Sequence, residues 1–318
     1  MSIIKKIFSS RIFRLILSLV LIYFAFKKVN VFSLWQQLRQ TSWWFILINI
    51  LLSLISTTLI SFRWSLLLIK KAKLKDIFIF TKSSLVSGFY GLFFNTSVAG
   101  DLFKWIIIDE KYPKIPKSKL LASVFLDRFI GLSMFVFVGT IMVFLVKIDK
   151  GFIPLWIKIA FLAMFVGCLV FYLLLFFGNL SNLKLWNFKL IKKIKSVTEL
   201  IHEENKSQIL KSLIICLVSD FFWVVQIWFI SWYFGTGLSV WSIFIFLPII
   251  SMILALPISF AGFGAREQLY LLFFTALATS TESILLTSTF SGILGIIMAF
   301  GGGLISLTPD FRKSRSVS

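Results

Sequence analysis

The apolar positions of this chain fall in runs much longer than a soluble helix needs. A bilayer core takes about 20 mainly apolar residues per helix. Runs of that length lie at about 11–28, 43–62, 119–146, 154–177, 209–234 and 284–307, and each predicts a membrane-spanning helix. Two further apolar regions are interrupted. Residues 77–108 contain Asn-Thr-Ser-Val-Ala-Gly-Asp at 95–101, and residues 242–279 contain Pro-Ile-Ser-Phe-Ala-Gly-Phe-Gly-Ala-Arg-Glu at 257–267. Each splits into two pieces at a polar, Gly-containing break.

Composition sharpens this picture. Of 318 residues, 58% are hydrophobic and 14% charged, whereas a soluble domain carries roughly 25% charged residues. Lys and Arg number 33 against 13 Asp and Glu, a formal net charge of +20. The cations sit in short clusters between apolar runs, which argues against a nucleic-acid binder as well as a soluble enzyme or a disordered chain. The expected fold is an all-α polytopic membrane protein of about six full transmembrane helices and two broken, re-entrant helical hairpins. Cys168 and Cys216 lie inside apolar runs and His202 is alone, so neither a disulfide framework, a metal site nor a cofactor is expected. Lys5, Lys6, Arg11 and Arg14 followed by an apolar run to Phe26 imitate a signal peptide. The run ends in Lys27 and Lys28 without a small-residue cleavage site, so a retained first helix is expected.

Charge decides the threading, because cytoplasmic loops carry excess Lys and Arg. With the N-terminus inside, loop 63–76 falls inside after two crossings. Loop 109–119, with Lys111, Lys114, Lys117 and Lys119, belongs inside too, so region 77–108 enters and returns on one side. Segment 178–208 falls inside after two more crossings, and the tail, with Arg312, Lys313 and Arg315, ends inside if region 242–279 is re-entrant from the outside. Loop 27–42 fits this scheme less well, and either break also accommodates two short full crossings. The scheme predicts an inverted-topology repeat with halves 1–146 and 154–308 and a cytoplasmic tail 309–318. The breaks share Ser-x-Ala-Gly at 97–100 and 259–262. Segment 189–201, within the basic stretch 178–208, alternates Leu190, Ile191, Ile194, Val197 and Ile201 with lysines at helical spacing. It reads as an interfacial helix on anionic lipid, or as a solvated connector. Trp35, Trp43 and Trp44 read as interfacial anchors.

Ionisable groups at membrane depth are costly and mark function unless they snorkel or pair. The candidates are Arg63, Asp101, Lys104, Asp127, Arg128, Asp220, Arg266 and Glu267. Arg63 ends its helix and has headgroups within reach. Asp127 and Arg128 point about 100° apart on a helix and so need different partners. In the second break, Pro257 ends one helix, Gly262 and Gly264 permit the turn, and a new helix starts near Ala265. Its positive end and the planar fork of Arg266 suit a phosphate, and Glu267 favours the same helix end. In the first break Asn95, Ser97 and Asp101 precede a helix carrying Lys104, and Asp101, at or near its start, reads either as its N-cap or as a functional carboxylate. No catalytic set or phosphate loop of the Walker type is present.

At these breaks, at Ala-Ser-Val-Phe-Leu-Asp-Arg in 122–128 and at Arg63, the chain resembles the lysylphosphatidylglycerol synthase transmembrane-domain family, also called the flippase-like domain family. The resemblance spans almost the whole chain. It implies an integral protein, expected in a prokaryotic plasma membrane; the charge pattern above puts both termini on the cytoplasmic side. In the best-known branch this domain is fused to a cytoplasmic transferase that lysinylates phosphatidylglycerol, and that transferase is expected to be absent here. It also implies a translocator of an anionic or modified lipid, either a phospholipid or a polyprenyl phosphate. In that role Arg266, Lys104, Arg128 and Arg63, with Gly262 and Gly264, hold the phosphate. Asn95, Ser97, Asp101, Asp127 and Glu267 balance charge or meet a cationic headgroup. Two other readings stand beside it: a membrane partner of a cytoplasmic glycosyltransferase docked through 178–208, and a membrane-embedded lipid or polyprenyl-phosphate transferase.

Overall fold

The computed structural model describes residues 20, 23–24, 31–69, 71–94, 97–145, 155–177, 206–254, 259, 262–278 and 280–308, and all regular structure among them is helical. The expected first helix, the 189–201 segment, Asn95 and the tail 309–318 lie wholly or largely outside these residues. The described helices are α1 (Val31–Arg39), α2 (Trp43–Leu66), α3 (Leu74–Phe94), α4 (Ser97–Lys111), α5 (Lys117–Leu145), α6 (Leu155–Phe177), α7 (Lys206–Tyr233), α8 (Val240–Leu254), α9 (Ala265–Phe274) and α10 (Thr281–Ser306). Five of them, α2, α5, α6, α7 and α10, are long and apolar enough to cross a membrane. They match five of the expected spans.

The helix surfaces are sorted as a lipid solvent requires. Outward faces carry Leu51, Phe125, Phe144, Leu162, Leu210 and Leu304, all substantially exposed. Ser, Thr, Asn and Gln face inward, where buried polar groups find protein partners because lipid offers none. The contact between α2 and α7 shows the rule most clearly. The backbone N–H of Ser42 donates to the Tyr233 hydroxyl at 3.0 Å. Gln226 Nε2 donates to the Asn49 carbonyl at 2.9 Å. Ser56 Oγ donates to the Ser219 carbonyl at 3.5 Å, and Ser212 Oγ to the Arg63 carbonyl at 3.5 Å. Each contact lies seven residues from the last on both chains, so the helices run antiparallel with one face of each in steady register. Phe45 stacks on Tyr233 at 3.8 Å at one end of this seam.

Both interrupted regions fold back on themselves. In the first, Tyr90 stacks on Phe103 at 4.4 Å, and Ser87 Oγ donates to the Gly100 carbonyl at 2.6 Å. The far ends also meet: the Tyr112 hydroxyl donates to Asp76 Oδ1 at 2.6 Å. The start of α3 and the end of α4 therefore sit side by side. In the second, Phe246 in the middle of α8 stacks on Phe273 near the end of α9, at 5.3 Å. One expectation is corrected here: α4 begins at Ser97, so Asp101 lies inside its second turn and is not its N-cap. The helix already includes Ser97, whereas a cap at Asp101 requires it to start at Leu102.

Helix pairing crosses the two halves of the chain. Besides α2 against α7, α3 packs along α10 and α8 along α5. Exchanging the halves turns one of these last two pairs into the other. The α3–α10 approach is close because Gly302 faces the backbone of Leu85, and Gly303 faces the Phe89 ring.

Candidate functional site

The ionisable residues gather at two places. The first is a buried cluster joining α2, α4, α5 and α7. Arg63, in the last turn of α2, is 5% exposed and does not reach outward. Its Nε donates to Asp127 Oδ1 at 2.8 Å, its Nη2 to the Asp127 carbonyl at 3.1 Å, and its Nη1 to the Cys216 sulfur at 2.8 Å. Lys104 Nζ lies 3.8 Å from Asp127 Oδ2 and 4.2 Å from the centre of the Trp64 ring. Trp64 is held in turn by Nε1 donating to Ser123 Oγ at 3.1 Å. The Cys216 thiol donates to Asp220 Oδ2 at 3.5 Å. A charge with so little solvent is tolerable only when paired and hydrogen-bonded. Asp127 meets that condition for two cations at once.

The second place is the break before α9. Gly262 and Gly264 have φ of +80° and +79°, values that side-chain-bearing residues rarely adopt. They turn the chain so that α9 starts at Ala265, as its sequence implies. Glu267 is 1% exposed and turns back on this helix start: its Oε2 accepts from the Gly264 N–H at 2.6 Å, and its Oε1 accepts from Ser288 Oγ at 3.4 Å. Arg266, one position earlier, also reaches α10, one turn further along. Its guanidinium lies 5.4 Å from the Phe263 ring centre, and a Cβ on Gly262 would come within 3.0 Å of it. A Cβ on Gly292 of α10 would overlap Arg266 Nη1 outright.

Arg266 and Phe263 border a cavity of about 270 Å³. Its lining also includes Thr57 of α2, Ser84 and Leu92 of α3, and Gly292, Gly295, Ile296 and Met298 of α10, so polar and apolar side chains both border it. Ser84 is fixed by Ser61 Oγ, which donates to its hydroxyl at 2.8 Å. An arm of each interrupted region thus borders the same space.

The four candidate cations do not share this wall. Arg266 lines the cavity, whereas Arg63 and Lys104 lie on Asp127, and Arg128 is on the exposed face of α5. Asp127 and Arg128 have different surroundings, as their angular separation requires. The side chains of Ser97 and Asp101 lie outside the described residues. Several contributors were not singled out from the sequence. Trp64 adjoins Arg63, and the Gly292–Gly295 spacing puts both glycines on one face of α10; both signals are legible in hindsight. Thr57 and Ser84 give none. Among the described residues no group of three or more His, Cys, Asp or Glu is placed to hold a metal ion.

These features sit in a polytopic helical membrane domain with interrupted helices. Residues 11–302 match the family model for the lysylphosphatidylglycerol synthase TM region, and the chain belongs to that family. Neither a curated protein nor a solved structure matches it.

Proposed function

We propose that this protein moves an anionic or modified lipid, a phospholipid or a polyprenyl phosphate, between bilayer leaflets, with Arg266 holding the phosphate. The observation that carries this reading is the position of Arg266. It stands in the first turn of α9 and borders a cavity walled by arms of both interrupted regions. The positive end of α9 reinforces its charge, and the planar fork presents paired donors to phosphate oxygens. A space of about 270 Å³ suits a headgroup and not a whole lipid, whose tails then stay in the bilayer. The apolar lining residues Leu92, Ile296 and Met298 support that division.

Arg63 and Lys104 have a different role in this account. Both are held on Asp127, and they brace the helices around the cavity. The cross-half pairing of α3 with α10 and of α5 with α8 supports an inverted repeat, a construction that lets two halves rock about a central site. The excess of Lys and Arg in loops 63–76 and 109–119 supports cytoplasmic termini in a plasma membrane. The test is leaflet exchange of fluorescent phospholipid and polyprenyl-phosphate analogues by the purified chain in vesicles. Exchange above that of empty vesicles is expected, and no exchange of any analogue by folded protein refutes the reading.

A further inference from the structure

The buried cluster contains one group that bracing does not require. Asp220 lies on α7, one turn after Cys216, and is 8% exposed. Its hydrogen-bond donor is the Cys216 thiol, at 3.5 Å, and a thiol is a weak donor. Asp127, by contrast, receives Arg63 Nε on its carboxylate and Nη2 on its backbone carbonyl, with Lys104 beside the carboxylate. The chain Asp127–Arg63–Cys216–Asp220 therefore places one guanidinium between two carboxyl groups, firmly bound to the first and reaching the second only through sulfur.

The neighbours of Asp220 are few. On its own helix the titratable group beside it is Cys216; Lys206, Lys211 and Tyr233 lie nine or more residues away along α7. From α2 it faces Arg63, beyond which stand Asp127 of α5 and, on Asp127, Lys104 of α4. Tyr172 of α6, whose hydroxyl bonds Ser133 at 2.7 Å, acts on Cys216 and Arg63, and Arg128 is on the exposed side of α5. Helix α8 carries no ionisable residue, and α10 carries only Glu282 at its exposed start. With both carboxyls ionised, Arg63 and Lys104 are balanced by Asp127 and Asp220. One proton on Asp220 leaves the buried cluster with a positive charge.

The geometry points to Asp220 as a proton-binding site that links the α7 contact to the hold on the first hairpin. The proton comes from water and returns to it, and no other bond is made or broken. While Asp220 is ionised, it draws the Nη1 edge of Arg63 toward α7. Once it is protonated, that pull ends and Asp127 takes Arg63 alone. Lys104 then competes for a carboxylate more fully committed to Arg63, so its anchor on α4 loosens. Proton binding at one helix is thereby read at the second arm of the first hairpin, which is what coupling to an ion requires of a translocator. This inference goes beyond the lipid reading and does not depend on it.

The test is a pH titration of the full chain in phosphatidylcholine vesicles, read by infrared difference spectroscopy of carboxyl groups. The expected result is a buried carboxylic-acid band that appears on acidification and is lost in Asp220→Asn. In Cys216→Ser the band shifts, because a hydroxyl donates more strongly than a thiol. A band that persists in Asp220→Asn, or no titrating buried carboxyl at all, overturns the inference. Should Asp220→Asn fail to fold, an unshifted band in Cys216→Ser overturns it as well. Leaflet exchange measured on the same vesicles separates the two ideas. Exchange absent at every pH removes the translocator reading, and the infrared band still decides the proton site.

Discussion

Arg63 Nε donates to Asp127 Oδ1 at 2.8 Å across the interior of the helix bundle, and both side chains are more than nine-tenths buried. This bond fastens the last turn of α2 to α5 at a depth where neither charge is tolerable alone. The same carboxylate holds Lys104 at 3.8 Å, so α4 depends on it as well. Breaking a buried pair by removing one partner typically costs about 3–5 kcal/mol. Asp127→Ala is expected to lose at least that much stability, and Lys104→Met clearly less, because the Lys104 contact is the longer of the two. Thermal unfolding of the purified variants in one detergent gives the order directly. Equal losses from the two substitutions contradict it.

Close packing of α3 on α10 rests on a missing side chain. A methyl group on Gly302 would collide with the Leu85 carbonyl and approach the Val86 nitrogen to 2.9 Å, whereas Gly301 has nothing within 4 Å of its Cβ position. Gly302→Ala is expected to cost about 1–3 kcal/mol through overpacking. Gly301→Ala serves as the matched control and stays within about 0.5 kcal/mol of the parent. Denaturation curves for the pair check the difference.

Glu267 sits beside Arg266 in sequence yet serves the helix start, not the cavity. Its carboxylate accepts from the Gly264 N–H at 2.6 Å, so removing it exposes an unsatisfied donor in a buried turn. Glu267→Ala is expected to lose about 0.5–2 kcal/mol, the usual range for a lost helix cap. Glu267→Gln keeps an acceptor oxygen and recovers most of it. If alanine and glutamine lose the same stability, the capping role is wrong.

The contact that closes the first hairpin depends on pH. The Tyr112 hydroxyl, with the Lys73 N–H, holds the Asp76 carboxyl below the usual carboxylate range, and burial with the same hydrogen bond raises the Tyr112 phenol. A carboxyl depressed in the folded state contributes stability that is complete above the ordinary Asp range. That contribution is lost as pH falls through the depressed folded value. Amide protection near residues 74–76, corrected for the intrinsic pH dependence of exchange, is expected to fall in acid. In Tyr112→Phe the Asp76 titration, followed by carboxyl NMR, moves upward. No movement would show that the hydroxyl does not set it.

Much of this arrangement is legible in the sequence, and the boundary has physical causes. Long apolar runs fix α2, α5, α6, α7 and α10 because bilayer thickness sets the length of a spanning helix. The Pro and Gly residues at 257–264 mark the second break, and the positive φ of Gly262 and Gly264 shows why those types stand there. The start of α4 was misplaced because Asp101 offers a good cap, while the helix begins at Ser97. The pairing of charges was hidden for a different reason. Arg63 and Asp127 are 64 residues apart, and one sequence does not say which buried cation meets which carboxylate. Thr57 and Ser84 carry no signal either, since hydroxyls in membrane helices commonly bond their own backbone.

The central claim is that Arg266 holds a lipid phosphate in the cavity between the two interrupted regions. Its most direct test compares the parent chain, Arg266→Ala and Arg266→Lys for leaflet exchange of fluorescent lipid analogues in vesicles, each variant checked for folding. The account predicts exchange by the parent, loss to the level of empty vesicles in Arg266→Ala, and partial recovery in Arg266→Lys, which keeps the charge without the planar fork. Undiminished exchange in a folded Arg266→Ala variant would contradict it.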